Sequence, residues 1–149
     1  RLALRGGDES STANRSRRQG FLEACRQAGL PGEEQLVIMN IDSAKVASAV
    51  ARSLEQGAEC ILCTDDYICN LALPQLRELG VRIPEDVKVA SFYDNTLLEH
   101  VLPSVTSLRF DAVELGRAAC RELLNLLEGR EAHSRVLPAY QMVLRDSTK

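Results

Sequence analysis

The stretch that decides the fold is Gly80-Val81-Arg82-Ile83-Pro84-Glu85-Asp86-Val87-Lys88-Val89-Ala90-Ser91-Phe92-Tyr93-Asp94-Asn95. Gly80 stops a preceding helix, because glycine takes the left-handed conformation that a helix C-terminus needs. Pro84 forces the residue before it into extended backbone. Residues 87–92 are then a short, mostly apolar run of strand length. Asp94 and Asn95 follow as a polar loop at the strand's carboxyl end. Helix stop, extended turn, buried strand and polar loop are the repeating parts of a doubly wound α/β sheet.

The rest of the chain repeats this alternation. Leu2-Ala3-Leu4 is a short strand closed by Gly6-Gly7, and the polar loop Asp8-Glu9-Ser10-Ser11-Thr12 leads into a helix over about 14–28. That helix has Phe21, Leu22, Cys25 and Ala28 on one face, and Gly29 and Pro31 end it. Leu36-Val37-Ile38-Met39 is a second strand. Asp42 or Ser43 caps the next helix, which carries Val46, Val50 and Leu54 and stops at Gly57. Cys60-Ile61-Leu62-Cys63 is the third strand. Asp65 and Asp66 open a helix with Ile68, Leu71, Ala72, Leu76 and Leu79, interrupted by Pro74, which either kinks it or starts a fresh one. After the fourth strand and a loop, Asp111 and Glu114 give a capping-box-like start to a helix over 112–127, which Gly129 ends. A last strand is expected around 139–144. Strands alternating with helices predict a parallel sheet covered on both faces, with ligands at the carboxyl ends of its strands. That rule selects the loops 6–14, 40–43, 64–66 and 92–96.

Composition narrows the class. Of the 149 residues 45% are hydrophobic and 26% charged, as in an ordinary globular domain. The net charge of −3 disfavours a footprint on a phosphate backbone within this segment. No apolar run reaches the roughly 18 residues of a membrane span, so no membrane partner is expected. The five cysteines, in mostly apolar settings, suit reduced thiols in a cytoplasmic protein better than a disulfide framework. Cys60-x-x-Cys63 lies on a strand, where residues three apart face opposite ways, and His100 and His133 are isolated. Metal binding, cofactors and a catalytic set are therefore not expected. An Mg²⁺ role for Asp65-Asp66 would need further ligands and a phosphate loop, and the sequence contains no phosphate-loop motif. With no initiator methionine and a strand at its start, the chain is expected to be part of something longer.

In residue order, the stretch at 80–95 resembles Gly-x-x-x-Pro-x-Asp-Val-x-Val-x-Gly-[Phe/Tyr]-Asp of the lactose-repressor/galactose-repressor family. Four further segments match that family in order: Arg17-Arg18-Gln19-Gly20-Phe21; Thr64-Asp65-Asp66; Pro103-Ser104-Val105-Thr106-Ser107-Leu108 with Glu114-Leu115-Gly116; and Leu137-Pro138 with Val143-Leu144-Arg145-Asp146-Ser147-Thr148. The resemblance implies a periplasmic-binding-protein-like type I fold of two α/β subdomains with a small effector in the cleft. Residues 1–149 would be the effector-binding and dimerisation core, mostly the carboxyl-side subdomain, without the DNA-binding headpiece. The segment at about 108–128 would cross back to the missing amino-side subdomain. Its apolar face (Val113, Gly116, Ala119, Cys120, Leu123, Leu127) is then expected to pack elsewhere, fray or mediate association.

The resemblance also assigns roles. Arg17 matches the arginine that clamps the effector, a rigid fork of donors suited to vicinal hydroxyls or a carboxylate; the alternative is a solvated charge beside Arg15 and Arg18. Asp65 matches an effector-binding Asn or Asp, with Asp66 the more natural helix cap. The family's acid at the end of strand four is displaced here, so either Asp94 takes that role in a shifted loop or Tyr93 lines the pocket. Ile41 stands where the family carries an aromatic platform, and Ser11 and Asn14 add polar groups. Asn70, Pro74, Leu97, Leu98 and Val101 fall at the family's subunit interface, or else form a local cluster over the sheet edge. The implied function is a dimeric, cytoplasmic transcription regulator, expected to be a repressor, that senses a sugar or nucleoside and binds operator DNA through its headpiece. The alternative is a sugar-binding component of an uptake system with the same fold.

Overall fold

The computed structural model of the chain describes residues 1–134, 136 and 140–149. The Leu137-Pro138 match and the first residue of the expected last strand, Ala139, lie outside the described residues. The strands are β1 (Leu2–Arg5), β2 (Leu36–Ile38), β3 (Cys60–Cys63), β4 (Lys88–Ser91), β5 (Thr106–Phe110) and β6 (Tyr140–Val143). The helices are α1 (Thr12–Gln27), α2 (Val46–Glu55), α3 (Asp66–Glu78), α4 (Thr96–His100) and α5 (Ala112–Leu127). One sheet runs in the order β2-β1-β3-β4-β5-β6, parallel from β2 to β5, with β6 antiparallel on β5. The order changes direction between β1 and β3, and a crevice outside such a switch is where doubly wound sheets bind ligands.

Strand alternation sorts the core into two layers. Ala3, Ile61, Cys63 and Val89 belong to the main core with Val50, Ala72 and Leu76 of α2 and α3. Leu4 and Leu62 pack on the other side with Phe21 and Cys25 of α1. That second layer is thin. An apolar groove remains beside α1, between Phe21, Ala24, Leu62, Ala90 and Phe92. The expectation of a sheet covered on both faces therefore holds for β1, β3 and β4 on one face, only partly on the other, and not at the β5–β6 edge, where residues 109–110 and 140–142 are exposed.

β1 continues one residue past the expected Leu4. Arg5 is buried, donating Nε to Ser53 Oγ (2.8 Å) and to the Ala49 carbonyl (3.2 Å), and a terminal nitrogen to the carbonyls of Leu4 and Leu36. Burial pulls its pKa down to about 10, so it stays charged at neutral pH. Directly after it, Gly6 is closely approached: a Cβ there would press on the end of the Met39 side chain and lie 2.8 Å from Thr64 Cγ2, so one or both would have to shift. Cys63 is buried, and its thiol is pushed well up by contact with Cys69 and by burial. Such a thiol is a core group.

Four expectations need correction, and one open alternative, at Pro74, is decided. Asp65, not Asp66, is the N-cap of α3, its Oδ1 accepting from Ile68 N at 2.8 Å. The helix then runs unbroken through Pro74, so no fresh helix begins there. The apolar run after Asn95 is not a loop but α4, capped by Asn95 Oδ1 on Leu98 N at 2.9 Å. Leu98 is 0% exposed in the main core, so it cannot be an interface residue in its own right. Residues 106–110 form β5, which the Ser- and Thr-rich sequence hid.

α5 starts as expected, with Asp111 Oδ1 accepting from Glu114 N at 2.8 Å. It is continuous, yet Ala118 is its sole buried residue. Leu115, Leu123, Leu124, Leu126 and Leu127 are exposed. It makes little contact with the other elements, and most of its apolar face is in solvent.

Candidate functional site

The loops at the carboxyl ends of β1 to β4 interlock before any ligand is considered. The turn after β2 is held to the turn after β1 by Asn40 N on the Gly7 carbonyl and Ile41 N on the Gly6 carbonyl, each 3.0 Å. Asn40 Oδ1 accepts from Glu9 N at 2.9 Å. This geometry turns the Ile41 side chain into the main core, where it is buried. Ile41 is therefore a core residue and not a ligand contact, because the hydrogen bonds to the Gly6 and Gly7 carbonyls draw its backbone inward.

At the β1/β3 switch, Asn14 and Asp65 converge. Asn14 is buried and donates Nδ2 to the Asp8 carbonyl at 3.0 Å, closing the loop ahead of α1. Both side chains flank Gly7: a Cβ there would sit 3.4 Å from Asn14 Nδ2 and 3.8 Å from Asp65 Oδ2. Asp65 Oδ2 also accepts from Thr64 Oγ1 at 2.9 Å. Ser11 occupies the N-cap position of α1 with no side-chain cap hydrogen bond.

The three arginines of α1 separate by partner. Arg15 donates to the carbonyls of Glu9 (2.9 Å) and Ser10 (2.8 Å), and Arg18 lies 3.6 Å from the Glu9 carboxylate. Arg17 is half-buried, and its guanidinium has no hydrogen-bond or ion-pair partner among the described residues. A partly desolvated cation without an internal partner has free capacity for a ligand.

At the end of β4 the acid and the aromatic take different places. The Asp94 carboxylate is 5% exposed and accepts from Ser107 Oγ (2.5 Å), Arg109 Nε (2.7 Å) and both terminal nitrogens of Arg145 (2.7 and 3.3 Å). Arg145, itself buried, also donates to the Val105 carbonyl and to Ser107 Oγ. Burial pulls the Asp94 pKa up, but these donors outweigh it and hold it at about 2. Tyr93 turns the other way. Its backbone is pinned by Ser91 Oγ, and its ring is 41% exposed, 6.5 Å from the Phe110 ring at an interplanar angle of 32°. A cavity of about 200 Å³ opens between Tyr93, Asn95, Glu99, Arg109 and Phe110. Asn95 Nδ2 reaches Asp66 Oδ2 at 2.5 Å, which joins this end of the row to the start of α3.

Phe110, Arg109, Ser107 and Arg145 receive no site role from the sequence. Leu108 and Phe110 carry a strand's period-2 alternation, and Arg145 stands in the closing Arg-Asp-Ser-Thr stretch, so both signals were present but short. Of the interface candidates, Leu97 is exposed, Val101 partly buried against the core, Pro74 exposed and Asn70 half-buried. α3 and the α4 segment adjoin, bridged by Asp66–Asn95 and by Arg77 donating to the Leu102 carbonyl at 3.2 Å.

Comparison with known proteins agrees with this architecture. Residues 1–148 match the periplasmic binding protein-like domain family. The chain is 26% identical to the HTH-type transcriptional repressor PurR of Vibrio vulnificus over all of its length, and 30% identical over 99% of it to the HTH-type transcriptional regulator MalR of Streptomyces coelicolor. It covers 46% and 45% of those proteins, and so spans about half the length of the curated relatives it matches. The crystal structure of the transcription regulator CcpA of Lactococcus lactis superposes with a TM-score of 0.89 at 25% identity, over all of this chain and 56% of that one.

Proposed function

Because the chain belongs to the periplasmic binding protein-like domain family, we propose that it is the effector-sensing core of a DNA-binding transcription regulator of the lactose-repressor/galactose-repressor kind. The observation that carries the reading is the match along essentially the whole chain to curated helix-turn-helix regulators. Those relatives favour a regulator over an uptake component. A regulator acting on DNA works in the cytoplasm, in keeping with five unpaired cysteines, three of them buried. The effector is a sugar or nucleoside held outside the β1/β3 switch. Arg17 supplies the clamp, Asp65 and Asn14 border it, and Tyr93 rather than the ion-paired Asp94 closes its far end. α5 is the segment that crosses to the second subdomain, and a homodimer forms through the α3–α4 surface around Asn70, Pro74, Leu97 and Val101.

Effector binding can change DNA affinity only through different affinities for two arrangements of the subdomains. The test titrates sugars and nucleosides against the full-length protein on its operator. An effector should shift operator binding, and Arg17→Ala should weaken that effector at least about tenfold, the order expected for a charge-assisted hydrogen bond. Unchanged binding in Arg17→Ala defeats the clamp. An operator-independent protein that binds sugar overturns the regulator reading.

A further inference from the structure

We infer that Tyr93 and Phe110 form a stacking platform that selects an effector carrying a flat heteroaromatic ring, such as a nucleobase, over a bare polyol. The inference rests on the effector-cleft reading above and narrows its ligand class.

Three observations lead to it. First, the cleft's carboxylates already accept internal donors. Asp94 accepts four hydrogen bonds, Asp65 caps Ile68 N and accepts from Thr64, and Asp66 accepts from Asn95. A polyol needs acceptors for its many hydroxyl hydrogens, and of the cavity's two carboxylates Asp94 is fully engaged, which leaves Glu99 alone to accept them. Second, the surface the cavity presents instead is aromatic. Tyr93 and Phe110 are 41% and 43% exposed at the ends of the adjacent parallel strands β4 and β5, and both line the same cavity. With ring centroids 6.5 Å apart and planes 32° from each other, the rings make a loose tilted pair, and each residue keeps about two-fifths of its surface exposed. Third, polar groups rim the cavity at its edge. Arg109 is half exposed and oriented by Asp94, and Asn95 and Glu99 stand beside it. A π-face with edge-on donors and acceptors suits a heteroaromatic ring, whose apolar faces stack while its nitrogens and exocyclic groups hydrogen-bond in plane.

The experiment uses the full-length protein and calorimetric titration with adenosine, uridine and ribose. At least one nucleoside should bind about tenfold or more tightly than ribose. Phe110→Leu and Tyr93→Ala should each weaken that nucleoside about tenfold, the order measured for a lost base–aromatic stack, and Phe110→Leu should leave ribose within about twofold. Tyr93→Phe keeps the ring and should retain nucleoside affinity, which separates stacking from the hydroxyl. Ribose binding as tightly as both nucleosides overturns the platform, as does native nucleoside affinity in both ring variants. Neither nucleoside binding at all overturns it too. If Arg17→Ala abolishes binding while the ring variants do not, the platform falls and the cleft reading stands. If no variant, Arg17→Ala included, changes binding of a probe, the cleft reading itself falls.

Discussion

Asp94 and Arg145 show how a charged pair can be structural at one end of a binding cleft. Both are buried, and removing one leaves the other without its main partner in a low-dielectric site. Arg145→Met is therefore expected to cost about 3 kcal/mol in urea unfolding, and the double variant with Asp94→Leu should cost less than Arg145→Met alone. The pH dependence has a definite sign. Asp94 is held at about 2 in the folded chain against an ordinary 3.8, so its contribution is full above about pH 4 and is lost as pH falls through 2. That difference corresponds to about 2 kcal/mol. Between pH 6 and pH 2 the native chain should lose about that much more stability than Asp94→Asn; parallel profiles would refute the assignment. Arg5 is the opposite case, a buried cation bonded to neutral groups alone. Ser53→Ala should destabilise by about 2 kcal/mol, and the loss should vanish in an Arg5→Met background, because no guanidinium is then left unsatisfied. The sequence showed that an acid stood near the end of β4. It could not show that this acid is claimed by an arginine 51 residues away, since that depends on how the chain returns after β6.

At the scale of elements, legibility followed periodicity. β3 stands where its apolar run put it, and α5 starts where its capping box predicted. β5 and α4 were hidden for different reasons. Thr106-Ser107-Leu108-Arg109-Phe110 is half polar because β6 and the Asp94 cluster satisfy it. Leu97 to His100 is too short to establish a helical period. The Asp65-Asp66 pair could not be apportioned from order alone, and the structure makes Asp65 serve the helix first. Asp65→Ala should then lower stability by about 1 kcal/mol, while Asp65→Asn, an equally good cap, should be near neutral. A purely ligand-binding Asp65 would leave both unfolding midpoints unmoved. Gly6 offers a harder test of the close β1–β2–β3 approach. Gly6→Val places carbon against Met39 and Thr64 and should cost about 2 kcal/mol or more, with no compensating gain in any loop.

For the whole molecule, the fold was legible because five ordered matches and one alternating pattern agree. The cleft was legible only in outline, since which side chains face it depends on loop closures such as the one that buries Ile41. The unresolved balance lies at α5. This helix has Leu123, Leu126 and Leu127 in solvent and only Ala118 buried. Helices of its length are marginal in water without a packed face, and an exposed apolar stripe of this kind marks an interaction surface. The 149-residue chain should therefore self-associate, with helical circular dichroism rising as concentration rises. Leu123→Glu with Leu127→Glu should abolish the association and the concentration dependence together. The midpoint of sheet unfolding should stay unchanged, because the core of β1 to β4 with α2 and α3 makes no use of α5. A native chain that sediments as a monomer with concentration-independent helicity would show that α5 needs no partner, and would remove the main physical reason for placing it against a second subdomain.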